Sequence, residues 1–328
     1  MFTAPILLQL LWTGLAMSSA YCLFAVAFAL VLKVNQVWNF AQPALFVAAY
    51  YTMFAAWQWL HLPTVAGLAL ALVFTVAVAM ALEWCGFRIF RLRRSASLTY
   101  FIFTMVVSQL AVSLAELFFG TDNKTLTDTV MSPIHLVGPV AISEWDMIAI
   151  ATTVVLVAAL WFVMTCTRLG KQMTAVADNP ELASIYGINV ARCYLHAMVL
   201  AAVLMVAGAW LIGTKAPMVP SSPLNQFLIF AVIAALLAGI GRVFAAGVAA
   251  VVLSLIQAFS ILVIPSRWQI MVVYVLIVVC VLLFPQGVRR KARRKPLPPL
   301  PSSAANPATS ATLAAPAAAN ANLPVTTP

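Results

Sequence analysis

Apolar runs long enough to cross a membrane alternate with short polar breaks along most of the chain. A spanning helix needs about 20 apolar residues. The first run is Ile6 to about Leu32, followed by the polar break from Lys33 to Pro43. Further runs cover about Ala44–Leu60, Thr64–Leu82, Leu98–Phe119, Met147–Cys166, Cys193–Ile212, Leu224–Ile240, Val243–Ile264 and Trp268–Phe284. His61-Leu62-Pro63 reads as a tight turn, and the third run is expected to continue as helix through Glu83 to Phe90. The pattern predicts an all-α, polytopic membrane protein with about eight or nine transmembrane helices, the count turning on whether 33–43 is re-entrant or lies at the surface. Residues 1–288 form the expected membrane domain. Residues 289–328 form a basic, then Pro/Ala-rich tail that cannot build a core and is expected to be disordered.

One polar island interrupts the pattern, from Arg168 to Arg192. It carries the signals of short, well-formed helices. Asn179 suits an N-cap and Pro180 the first helical position. Glu181 puts negative charge at the positive end of the helix dipole. Gly187 can take the left-handed conformation that ends a helix. A folded element of this kind at a membrane surface suggests a docking site.

Composition narrows the class. The chain has 328 residues, 64% hydrophobic and only 8% charged. A soluble domain carries about 25% charged residues, so an ordinary soluble globule is excluded. The net charge of +10 does not point to nucleic acid, because the basic residues cluster at the ends of apolar runs. With the island in the cytoplasm, the inside receives Lys33, Arg88, Arg91, Arg93, Arg94, Arg168, Lys171, Arg192, Arg242 and the basic run Arg289 to Lys295. Only Lys124, Lys215 and Arg267 then fall outside, 3 of the 18 basic residues. The positive-inside bias therefore puts the N-terminus outside and the C-terminus in the cytoplasm.

Catalytic chemistry is not evident. His61, His135 and His196 stand apart, and the five cysteines form no CxxC or Cys/His cluster. No metal or cofactor is expected. No P-loop, GxSxG or HExxH motif occurs. The eight acidic residues fall in loops or near span ends, so an ion relay through the bilayer centre is poorly supported. If solute moves, the energy is expected from another polypeptide.

Polar residues within or beside the spans have two readings. Asn35, Asn39 and Gln42 lie in the break after the first run. Ser254, Gln257 and Ser260 share one helix face at spacings of three. They either line a translocation path or bond helix to helix. Gly239 and Gly241 suit a tight turn or close packing, and Gly247 extends that packing face.

Four segments together resemble the permease subunits of bacterial ABC importers for branched-chain amino acids, the LivH-type family. Asn39-Phe40-Ala41-Gln42 resembles that family's Asn-Phe-Ala-His-Gly region. Asp178-Asn179-Pro180-Glu181-Leu182-Ala183, followed by Gly187-Ile188-Asn189-Val190, is similar to its cytoplasmic loop. Gly239-Ile240-Gly241 resembles its Gly-Gly-Ile-Gly turn, and Phe284-Pro285-Gln286-Gly287 its closing Arg-Pro-Gln-Gly. Departures are Gln42-Pro43 for His-Gly, Ala238 for Gly, and the lack of Pro-Gly within Arg242 to Ala246.

The resemblance implies a permease in a bacterial inner membrane, for branched-chain or related neutral amino acids. Implied partners are cytoplasmic ATP-binding subunits, a second permease subunit and a periplasmic substrate-binding protein. It also implies that the helix at about Pro180–Tyr186 docks on the ATPase, with Asp178, Asn179, Pro180, Glu181, Leu182, Ala183 and Gly187 as the coupling residues. The rival readings are a self-contained secondary carrier or channel for a small polar solute, and a membrane-embedded enzyme.

Overall fold

The structure, a computed structural model, describes residues 4–126, 134–137, 140–239 and 241–262, with isolated positions between 265 and 282. The ninth apolar run lies largely outside the described residues, and the tail at 289–328 wholly so.

Eleven α-helices are ordered along the described chain. They are α1 (Ala4–Asn35), α2 (Gln42–Phe54), α3 (Thr64–Leu82), α4 (Arg88–Leu92), α5 (Ser97–Phe119), α6 (Glu144–Cys166), α7 (Arg168–Asp178), α8 (Pro180–Ile185), α9 (Val190–Gly213), α10 (Leu228–Ala238) and α11 (Val243–Ser260). Among the described residues six helices are long and apolar enough to cross a membrane: Pro5–Asn35, Thr64–Leu92, Ser97–Phe119, Glu144–Cys166, Val190–Gly213 and Val243–Ser260. The second and seventh runs form shorter α-helices, each joined to a π-helical turn, Ala55–Trp59 after α2 and Pro223–Phe227 before α10. A third π turn, Glu83–Phe87, joins α3 to α4, so that run does continue as helix.

The Gly120–Trp145 connection, read as a polar loop, contains a small antiparallel hairpin. Its strands are β1 (Ile134–Val137) and β2 (Val140–Ser143).

Helix α1 is the centre of the bundle. Of its most apolar window 89% is buried, against 22% for α5 and for α6. A helix apolar on every side is suited to burial on every side, and α6, α9, α10 and α11 all pack on α1. Close approach of α1 and α11 depends on small residues. A Cβ at Gly14 would stand 2.8 Å from that of Ala258, and one at Gly247 would meet Val26 Cγ2 at 2.8 Å. Across the same seam Ser254 Oγ donates to the Gly14 carbonyl at 3.1 Å. At the N-terminal end of α1, Gln9 makes two bonds to Ala141 of β2, donating to its carbonyl at 3.2 Å and accepting from its N–H at 2.8 Å.

Candidate functional site

The polar island folds into α7 and α8, and each helix start has its own cap. Thr167 Oγ1 accepts from Gly170 N at 3.2 Å and donates to the Val163 carbonyl at 2.6 Å, which fixes the corner between α6 and α7. Asn179 Oδ1 accepts from Leu182 N at 2.9 Å, with Pro180 opening α8. Asn189 Oδ1 accepts from Arg192 N at 3.1 Å and starts α9. Helix α8 ends in paired bonds, Ile188 N to the Ala183 carbonyl and Gly187 N to the Ser184 carbonyl. Gly187 adopts φ +80 between them. That pairing is the Schellman arrangement, and it places a left-handed residue where glycine carries no Cβ penalty.

The corner is also set by a missing side chain. A Cβ on Gly170 would overlap the backbone of Val163 and Met164. Met173 and Val176, three residues apart on α7, are fully buried beneath the bundle. The loop is therefore bolted to the membrane helices on one side.

On α8 the outward residues differ from some of those named from sequence. Ala183 is 4% exposed and packs inward, whereas Leu182 is 51%, Ile185 79% and Tyr186 80% exposed. Leu182 and Ile185 of α8 and Tyr186 at its C-terminal cap thus face outward together. Ile185 and Tyr186 were missed, because local helix signals do not say which face a six-residue helix turns outward.

A second connection was also missed. Gln36, in the break between α1 and α2, has φ +57. Its amide nitrogen donates to the Ala177 carbonyl at 2.9 Å, one residue before Asp178. A left-handed non-glycine residue costs on the order of 1 kcal/mol or more, and here it links the last turn of α7 to the end of α1.

The break beside it holds buried amides. Asn35, Asn39 and Gln42 are 4%, 1% and 0% exposed. Asn39 Oδ1 accepts from Ala41 N at 3.0 Å. Among the described residues, both amide atoms of Asn35 and of Gln42 are buried without a hydrogen-bond partner. An unpaired buried amide costs about 1–3 kcal/mol, so this is an expensive place to keep two. Ser254, in contrast, uses its hydroxyl on α1, and Gln257 is only partly buried one turn away.

Two carboxylates that sequence placed near span ends are buried and paired. Glu83, in the π turn, pairs with Arg91 two helical turns later. The Arg91 guanidinium also lies 4.2 Å above the Tyr194 ring of α9, which ties the end of α4 to the helix that follows the island. Asp146, at the start of α6, pairs with Lys215, just after α9. Because α6 and α9 both join the island at their other ends, this pair stands at the opposite end of the bundle from α7 and α8. Among the described residues no group of three or more His, Cys, Asp or Glu is placed to hold a metal ion.

A bundle of long apolar helices around a buried central helix, with a capped polar corner at one end, defines a multi-pass helical membrane protein. Residues 10–281 match the family described as branched-chain amino acid transport system, permease component. The chain belongs to that family, which is a transport permease component and not an enzyme. It is 26% identical over 298 residues to the high-affinity branched-chain amino acid transport system permease protein BraD of Pseudomonas aeruginosa, covering 86% of this chain and 95% of that one. It is 24% identical over 297 residues to the corresponding protein LivH of Escherichia coli, covering 86% and 94%. A shorter match, 32% over 74 residues, covers 22% of this chain and 21% of the fructose import permease protein FrcC of Rhizobium meliloti.

Proposed function

We infer that this chain is the membrane-spanning permease of an ATP-driven importer in a bacterial inner membrane. It works with a second permease subunit, cytoplasmic ATP-binding subunits and a periplasmic binding protein, and its cargo is a branched-chain or related neutral amino acid. The island faces the cytoplasm, with the N-terminus outside. The observation that carries this reading is α8, a capped helix that buries Ala183, follows α7 with its buried Met173 and Val176, and has Leu182, Ile185 and the cap residue Tyr186 turned outward.

An exposed apolar group on a short, capped helix suits a partner's groove. The path for force runs from α8 through α7 to Gln36 and the end of α1, and through Asn189 directly into α9. Nucleotide-driven movement of the partner then rocks the two helices that form the middle of the bundle. The unpaired amides of Asn35, which precedes Gln36, and of Gln42, which opens α2, become hydrogen-bonding groups of the path when it opens at that end. A self-powered ion-coupled carrier fits less well, since the buried Glu83 and Asp146 are already neutralised by Arg91 and Lys215.

Affinity purification from the native membrane in mild detergent tests the assembly. The expected result is co-recovery of a P-loop ATPase, lost on Ile185→Asp with the permease still inserted. Uptake of labelled L-leucine without any associated ATPase would refute the reading.

A further inference from the structure

Two cavities open beside α1, and their chemistry differs. The larger, ≈ 500 Å³, is lined almost wholly by apolar groups of α1, α6 and α11, among them Leu15, Val154, Trp161 and Phe244. Size alone would favour it as a solute site, but a polar solute finds few partners there. The smaller, ≈ 170 Å³, lies against Lys215 at the end of the bundle opposite α7 and α8. Its polar wall is Lys215, Ser222, Gln226 and Ser19, and its apolar wall includes Met17, Leu211 and Phe227. Binding pockets for drug-sized molecules typically hold about 300–1,000 Å³, so this one suits a much smaller solute.

We propose that this pocket is an entry site that receives the free amino acid as a zwitterion, its carboxylate on Lys215 Nζ and its apolar side chain against Met17, Leu211 and Phe227. The assignment rests on the importer reading above and adds the groups that recognise the cargo. Lys215 is a pre-oriented cation. Its ammonium is held by Asp146, whose side chain is 9% exposed, while the Lys215 side chain remains 33% exposed. The lysine has three donors, so the pair with Asp146 leaves others for an incoming carboxylate. Asp146 stands behind Lys215, outside the pocket lining, and adds negative charge at that end, while Gln226 and Ser222 in the wall offer acceptors for the ligand's ammonium. Among the described residues no hydrogen bond uses the side chains of Ser222 or Gln226. Opposed charge beside an apolar wall is the complement of a zwitterion with a hydrocarbon side chain. A fructose-like solute has no charge to match it. The mixed pair also lowers the affinity for a simple anion, because Asp146 repels it.

The test uses the full-length permease assembled with its partner subunits in lipid nanodiscs, with tritiated L-leucine as probe, and uptake by the same system in proteoliposomes. Saturable L-leucine binding is expected, competed by L-valine and not by isovalerate, which lacks the ammonium, or isoamylamine, which lacks the carboxylate. Lys215→Met and Gln226→Leu should each weaken binding about tenfold or more, the loss of one charge-assisted or polar contact, and lower the maximal uptake rate. Lys215→Arg should retain most of both.

A purely structural ion pair is separated by the exchange Asp146→Lys with Lys215→Asp. If the pair only braces α6 against α9, the exchange restores uptake, and the proposal fails. If it remains defective together with Gln226→Leu on its separate element, the site stands. Wild-type uptake by both Lys215→Met and Gln226→Leu overturns the site and leaves the importer reading intact. Equal competition by isovalerate reduces the pocket to an anion site and overturns the zwitterion assignment. No L-leucine uptake by the complete wild-type system removes the amino-acid reading and this site with it.

Discussion

Gly170 offers a sharp test, because ordinary helix physics and this structure predict opposite signs. Replacing a helical glycine by alanine normally stabilises by about 1 kcal/mol, through backbone entropy. At Gly170 the added Cβ would overlap the Val163 carbonyl and the backbone of Met164. Backbone cannot swing aside as a side-chain tip can, so α7 has to tilt or shift along α6. Overpacking of this kind costs about 1–3 kcal/mol, enough to outweigh the propensity gain. Displacement of α7 also strains the Gln36–Ala177 bond and moves α8 off its seat. Gly170→Ala is therefore expected to lower the apparent melting temperature of the detergent-solubilised permease by several degrees, at roughly 2–4 °C per kcal/mol. Uptake should fall more than membrane insertion does. Size-exclusion monitored thermal shift reads the first effect, and labelled amino-acid uptake against immunodetected membrane content reads the second. A higher melting temperature, or full uptake, would show that the corner is not set by glycine and that the close approach of α6 and α7 is not required.

The other expectations are shorter. Gly187→Ala meets open space but a φ of +80, so it should destabilise the loop by about 1 kcal/mol without disturbing α6; limited proteolysis between α8 and α9 should rise in rate. Leu182→Asp and Tyr186→Ser should leave the melting temperature within about 1 °C of wild type, since exposed sites change stability little, and should abolish ATP-dependent uptake; unaltered uptake would remove α8 as the docking face. Glu83→Gln strips a charge from a buried pair and leaves Arg91 uncompensated, a loss of about 3–5 kcal/mol, and membrane yield should drop accordingly; Glu83→Gln with Arg91→Leu should recover most of it. Gln42→Met removes a buried amide lacking a partner, so stability should hold or rise while uptake falls; normal uptake would take Gln42 out of the path.

What the sequence revealed depended on how local the cause was. Long apolar runs marked α1, α3, α5, α6, α9 and α11, because crossing a bilayer is a demand on consecutive residues. Asn179, Pro180 and Gly187 were legible for the same reason, as caps act within three or four residues. Burial order was less visible. That α1 occupies the middle depends on small residues at long-range contacts, Gly14 against Ala258 and Gly247 against Val26, and apolarity alone does not rank one span above another. The pairing of Asp146 with Lys215 joins residues 69 apart, and neither carries a local mark of it. Ala183 looked like a contact residue from its motif, yet the turn of α8 sends it inward and sends Ile185 and Tyr186 out. A bulky group at Ala183 would therefore probe packing more than docking.

The central position of α1 bears on how the chain is made. Its partners α9, α10 and α11 are translated much later; Ser254, which donates to Gly14, lies 240 residues downstream. Until α6 is made the first helix has none of its packing partners, and the sides that α9, α10 and α11 cover stay open longer still. Its uniformly apolar surface lets it wait in lipid during that interval, with no charged face exposed to hydrocarbon. The bundle closes when the glycine-bearing face of α11 arrives and seats against it. A nascent chain stopped before α9 would hold an inserted α1 covered by α6 and open on the sides that α9, α10 and α11 later fill.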